Sequence, residues 1–212
     1  MHLPDFLIDR YKDWKNNSFP KKQKFYNNLV VKGQKPKVMI ISCCDSRVDP
    51  NKIFNAEDGE IFIHRNIANV VPSVNYDKIN YETYSAIEYG INILKIEDLV
   101  ILGHSNCGGV KHAYRIFSQE IPRNNKFIDK WIKNIKPAFK MLKHSKSEEL
   151  QIETLEKLNI VNSISNLCEF SEINKKIKKN KLKIHGLWYE VSSANLQIYN
   201  QETKTFENII YK

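Results

Sequence analysis

Two short apolar runs, Val38-Met39-Ile40-Ile41 and Leu99-Val100-Ile101-Leu102, constrain this 212-residue chain more than any other feature. The first, entered from Pro36, is continuous rather than alternating and rich in β-branched residues, the pattern of a strand buried on both faces of a sheet. Ile61-Phe62-Ile63, after the Asp58-Gly59 turn, reads as a second strand, and Leu99–Leu102 as a third. Between them Tyr84, Ile87, Ile91 and Leu94 recur at helical spacing, so residues 81–94 are expected to form a helix. Strands that alternate with amphipathic segments give an α/β fold, a central, mostly parallel β-sheet flanked by helices. Residues 3–32 read as an N-terminal helical arm with a break near Ser18-Phe19-Pro20, and helices are expected over 125–143 and 148–179. Leu182–Tyr189 and Leu196–Tyr199 look like late strands that form a hairpin. With 42% hydrophobic residues, one domain over 1–212 is expected, an arm of 1–33 followed by an α/β core of 34–212.

The first and third strands end on chemistry. Cys43 opens Cys43-Cys44-Asp45-Ser46-Arg47, and Gly103-His104-Ser105-Asn106-Cys107-Gly108-Gly109 follows Leu102. Two thiolates and one imidazole make one ligand fewer than a structural zinc site uses, and a fourth position left for water marks catalytic zinc. Strand carboxyl ends are where open α/β sheets build their sites if the strands flank a topological switch point. Alone, each residue has a plainer reading, since a single Cys is usually a small buried hydrophobe. The joint pattern is much more specific. Cys44, pointing away from Cys43 by strand alternation, is assigned to packing, and Cys168, among Ile164, Leu167 and Phe170, to a helix core. Gly108 and Gly109 let backbone approach without side-chain collision.

Asp45 and Arg47 suit a catalytic role beside such a metal. A free carboxylate next to zinc can take the open position, and a bidentate pair with Arg47 can hold it away. The alternative is a surface salt bridge worth about 0 to 1 kcal/mol.

Composition excludes more than it assigns. Four cysteines, two of them claimed by the metal pattern, do not make a disulfide framework, so a reducing compartment and a cytoplasmic location are expected. The N-terminus lacks a signal-peptide pattern, and no run of 18 or more apolar residues exists, so no membrane partner is expected. A net charge of +9 invites a nucleic-acid reading, yet the densest run, Lys175 to Lys183, has no interleaved aromatics and reads as a solvated helix end and loop. No nucleic-acid partner is expected.

The motifs resemble the β-class carbonic anhydrases. The likeness is carried by Cys43–Val48, by Gly59–Asn69 (with Ile61-Phe62-Ile63-His64-Arg65-Asn66-Ile67-Ala68), by Ser85–Tyr89 and by Gly103–Gly109, with weaker matches at Phe127–Trp131, Val161–Leu167 and His185–Tyr189. By that likeness Cys43, His104 and Cys107 bind Zn2+, while Asp45, paired with Arg47, accepts a hydrogen bond from zinc-bound hydroxide. Phe62, Ile67 and Tyr89 match the apolar pocket for carbon dioxide and bicarbonate, Gly108 offers its backbone amide, and Gln34 stands where type I members place a substrate-binding glutamine. A homodimer or higher homo-oligomer embraced by N-terminal helices is implied. Type II members carry tryptophan where Ile40 stands here, although Arg65 and Tyr189 match the rest of their regulatory bicarbonate site.

The chemistry agrees with the likeness. Zinc lowers the pKa of bound water and supplies a nucleophile near neutral pH, and two anionic thiolates make help from neighbouring groups more valuable. His64, His112 and Tyr89 are candidate proton relays among which spacing does not choose. Two other functions fit the motifs: hydrolysis of another small molecule such as carbon disulfide, or a zinc-stabilised binding module in which Asp45 completes the coordination.

Overall fold

The computed structural model describes residues 2–74, 81–143 and 147–209. It divides into two units, Met1–Lys35 and Pro36–Lys212.

The first unit is helical, α1 (Asp5–Asp13) running through a π-helical turn (Trp14–Ser18) into α2 (Phe19–Lys32). The expected break near Pro20 is a widening instead. Proline cannot donate to the turn before it, and the chain answers with a wider ring in which the Phe19 N–H donates to the Trp14 carbonyl. Trp14 packs on Phe19, and Phe19 stacks on Tyr26, with ring centroids 5.3 and 5.5 Å apart. No residue of either helix is buried. Phe6, Leu7, Tyr11 and Trp14 are exposed, and Val30 and Val31 are 84% and 85% exposed.

The second unit is a six-stranded sheet wrapped by helices. In chain order come β1 (Val38–Cys43), the short α3 (Pro50–Ile53), β2 (Ile61–Asn66), α4 (Tyr81–Glu88) with a π-helical extension over Tyr89–Leu94, and β3 (Asp98–His104). Then follow α5 (Gly108–Phe117), α6 (Ile128–Trp131), a 3-10 turn (Ile132–Ile135), α7 (Lys136–Lys140), α8 (Glu148–Glu169) and α9 (Ser171–Lys178). The chain closes on β4 (Lys183–Tyr189), β5 (Leu196–Asn200) and β6 (Thr205–Asn208). The order is β2-β1-β3-β4-β5-β6, parallel through the first four strands and antiparallel at the last two. The mostly parallel sheet expected from the sequence is present, with β6 an addition to the expected hairpin. From β1 the chain passes to β2 on one side, and from β3 to β4 on the other, so the topological switch lies between β1 and β3.

Alternation explains why β1 reads as one apolar run. Met39 and Ile41 join Ile87, Leu99, Ile101, Ile160 and Trp188 on one face, while Ile40 joins Val48, Val100 and Leu102 on the other. On the first face α8 lies close to the sheet. A Cβ on Gly103 would sit 2.6 Å from Ile160 Cδ1, and one on Gly186 would sit 2.8 Å from Ile160 Cγ2.

Two smaller readings are corrected. The helical stretch expected over 148–179 is divided at Phe170, whose extended backbone (ψ 113°) ends α8, and Cys168 is exposed rather than in a helix core. Cys44 does turn away from buried Cys43, but toward solvent rather than into packing. Among the described residues no helix is long and apolar enough to cross a membrane.

Candidate metal centre

Cys43 is the last residue of β1 and His104 the last of β3, neighbouring parallel strands at the switch point. Asn106, in the left-handed region (φ 55°) that Asn tolerates, turns the chain back so that Cys107 caps α5. The three residues are 4%, 0% and 1% exposed, and their ligand atoms lie within 4.8 Å of one another. The two Sγ atoms are 3.9 Å apart.

The imidazole is oriented for a cation. Its Nδ1–H donates to the Ser105 carbonyl (2.8 Å), which fixes the tautomer and leaves the Nε2 lone pair beside the sulfurs. Nε2 is buried with no protein partner. An orphaned imidazole nitrogen facing two thiols fits zinc's preference for N and S donors. Cys107 holds the Cys43 thiol well below its ordinary pKa, while Cys43 and burial push Cys107 up. Burial depresses His104, but the Cys43 sulfur, the Ser105 carbonyl and Asp45 more than offset it. Groups that attract a proton to this spot also attract a cation in its place.

Asp45 and Arg47 form the expected fork. Arg47 Nε donates to Asp45 Oδ1 (2.9 Å), Nη2 to Oδ2 (2.7 Å), and the Arg47 amide to Oδ1 (3.0 Å). Nη2 also reaches the Asn106 carbonyl (3.0 Å), tying the loops that follow Cys43 and His104 together. The guanidinium holds the Asp45 carboxyl far below the usual carboxylate range. Asp45 Oδ2 lies 3.9 Å from His104 Nε2, at the edge of the ligand cluster.

Several groups support the cluster, among them Arg65 and three that the sequence did not single out, Ser105, Ala68 and Glu156. Arg65 donates to the carbonyls of Cys43 (2.9 Å), Asp45 (2.8 Å) and Val48 (2.7 Å), pinning the loop that carries the motif. Its partners here are this backbone. Ile40, in the type II tryptophan position, is buried in the sheet. Ser105 Oγ donates to Glu190 (2.6 Å) and accepts from the Val191 amide (2.9 Å), anchoring the His104 loop to the end of β4. The Ala68 amide donates to Cys43 Sγ (3.4 Å). Glu156, 2% exposed, accepts from the Cys107 amide (2.9 Å) and from Trp188 Nε1 (3.2 Å).

Burial raises the Glu156 pKa to about 7, against about 4.3 for an unfolded chain. Between those values the folded state holds a proton that the unfolded state releases. The stabilisation is therefore full below about 4.3 and is lost as pH rises through about 7. Metal-free protein is expected to melt at lower temperature as pH rises across that window, and Glu156→Gln to flatten the dependence. Parallel melting curves for both proteins check it.

The expected pocket residues are partly together. Phe62 and Tyr89 pack ring on ring (centroids 5.8 Å, 34°), with the Tyr89 face and Ile67 open to solvent. A Cβ on Gly109 would lie 2.6 Å from Ile67 Cγ2, whereas one on Gly108 would meet nothing. Close approach thus explains Gly109 but not Gly108. Gln34 follows Gly33, the C-cap of α2, and belongs to the first unit. Among the candidate relays, His64 bonds Thr83 Oγ1 (3.2 Å), with burial lowering its pKa, and His112 pairs with Asp129 (2.9 Å).

A family model described as carbonic anhydrase matches residues 38–196. The chain is 36% identical over 196 residues to beta carbonic anhydrase 3 of Arabidopsis thaliana, covering 91% of this chain and 75% of that one. It is 31% identical over 201 residues to a carbonic anhydrase of Helicobacter pylori, covering 93% and 90%. Its fold matches the solved structure of the β-carbonic anhydrase CcaA with a TM-score of 0.88 at 26% identity, over 98% of this chain and 92% of that one. It also matches one of two tetrameric β-carbonic anhydrases from Sordaria macrospora, with a TM-score of 0.78 at 24% identity, over 92% and 95%.

Proposed function

Because the chain belongs to the β-carbonic anhydrase family, whose zinc-dependent reaction is the reversible hydration of carbon dioxide, we propose that Cys43, His104 and Cys107 hold the metal and Asp45 serves the attacking water. The observation that carries this reading is the unpartnered His104 Nε2, set beside two sulfurs and 3.9 Å from Asp45 Oδ2. Zn2+ bound there is a Lewis acid that makes water a nucleophile near neutral pH.

Each remaining residue has a distinct task. Asp45, ionised throughout the neutral range, would accept a hydrogen bond from that water and so turn a lone pair toward the substrate. Arg47 keeps that carboxylate off the ligand cluster. Phe62, Ile67 and Tyr89 offer an apolar slot that suits an uncharged, linear triatomic molecule. Gly108 is the first residue of α5, where backbone N–H groups have no partner within the helix. Its amide is a donor for the oxygens of carbon dioxide and bicarbonate. Zinc content and stopped-flow hydration, measured on one sample beside a carbon disulfide assay, test the reading. One zinc per chain with fast hydration supports it, and zinc-loaded protein without hydration overturns it.

The same reading places the protein in a reducing compartment, the cytoplasm, since Cys43 and Cys107 serve as thiolates and all four cysteines are free. It also assigns the exposed apolar residues of α1 and α2 to the surface that joins copies into a homodimer or higher homo-oligomer, as patches of this kind mark association sites. The double change Val30→Glu and Val31→Glu is expected to shift the protein toward monomer. Light scattering coupled to size-exclusion chromatography checks it.

A further inference from the structure

Helix α8 carries Glu156, Asn159, Ser163 and Asn166 into the core, all under one-tenth exposed. Steps of three, four and three place them on one face of the helix. Buried polar groups are destabilising unless bonded, and these four are bonded to irregular backbone beside the metal cluster. Asn159 Nδ2 donates to the Ala68 carbonyl (2.8 Å), and Asn166 Nδ2 to that of Val71 (2.7 Å). Ser163 Oγ accepts from the Val71 amide (3.1 Å). From the other side Asn66 exchanges two bonds with the Val70 backbone, both 2.8 Å.

What these bonds hold is strained. Ala68 and Asn69 have consecutive left-handed backbones, φ 64° and 46°, a conformation that Asn tolerates but that crowds the Cβ of an alanine. It persists only where the surroundings over-determine it. In that conformation the Ala68 N–H meets Cys43 Sγ at 3.4 Å. One turn earlier on the same helix face, Glu156 receives the amide of Cys107.

We propose that the buried polar stripe of α8 positions both metal thiolates, Asn159 acting through Ala68 on Cys43 and Glu156 acting through the backbone of Cys107. The inference rests on the reading that Cys43, His104 and Cys107 hold zinc. An N–H bond to sulfur draws charge from the thiolate and leaves the metal a stronger Lewis acid, which matters where two anionic sulfurs already neutralise the cation. Asn159, Ser163 and Asn166 touch neither metal nor substrate and are positioning residues.

The test compares Asn159→Ala with Ile160→Val, a neighbouring core truncation that leaves the stripe intact. Each protein is loaded with Co2+, whose thiolate charge-transfer absorption reports sulfur donation directly, and zinc affinity is measured by chelator competition. Asn159→Ala is expected to move the absorption to longer wavelength and weaken zinc binding about 10- to 100-fold, the usual effect of losing a group that orients a ligand. Ile160→Val is expected to change neither. Asn166→Ala, farther along the stripe, is expected to shift both in the same direction by less, and it decides the matter if Asn159→Ala does not fold. Wild-type absorption that persists unchanged in the Asn variants, with zinc affinity intact, overturns the positioning role and leaves the metal reading standing. Absence of the thiolate absorption from wild-type protein overturns the metal reading itself, and this inference with it.

Discussion

Arg47→Ala is expected to retain zinc and lose most of its hydration activity, with kcat/KM down by about 100-fold. Three hydrogen bonds from Arg47 hold the Asp45 carboxylate, two from the guanidinium and one from the amide. Alanine keeps only the amide bond. The freed Oδ2 already lies 3.9 Å from His104 Nε2, so a side-chain rotation suffices to bring it onto the metal and displace water. Arg47→Lys is expected to recover little, because an ammonium cannot supply two parallel donors. Elemental analysis and stopped-flow assays on the same samples check both variants. Full activity in Arg47→Ala would show that the pair is only a surface ion pair.

Cys107→Ala is expected to lose metal and activity together, with hydration falling by more than about 10³-fold, since the acceleration that enzymes provide rests here on the metal. The fold should survive. The Cys107 contact to Glu156 is made by the backbone amide, which alanine keeps, and the lost thiol is small. Zinc content, activity and melting temperature of the metal-free protein, measured side by side, separate ligand loss from unfolding. A variant that still carries one zinc per chain would remove Cys107 from the ligand set.

The parts legible in the sequence are those whose signal is local. β1, β3 and the convergence of Cys43 and His104 at their ends could be read because a continuous apolar run reports burial on both faces and a residue at its end inherits the strand's position. The Asp45–Arg47 fork spans three residues and could be read the same way. What escaped is long-range in sequence. Glu156 meets Cys107 across 49 residues, and Asn159 meets Ala68 across 91. No spacing rule connects such pairs, and polar residues within a helical pattern read first as its solvated face. The π-helical turn at Trp14–Ser18 reads in the sequence as a break because proline signals both.

The unpartnered nitrogen of His104 reaches beyond the reaction. A buried acceptor without a hydrogen-bond partner costs about 1–3 kcal/mol, and under the proposed function a divalent ion would relieve that cost. Binding only to the native form then raises stability by mass action. In a zinc-starved cell a larger share of these molecules would open and meet proteases. Abundance of the polypeptide, and not only its catalytic competence, would then track metal supply.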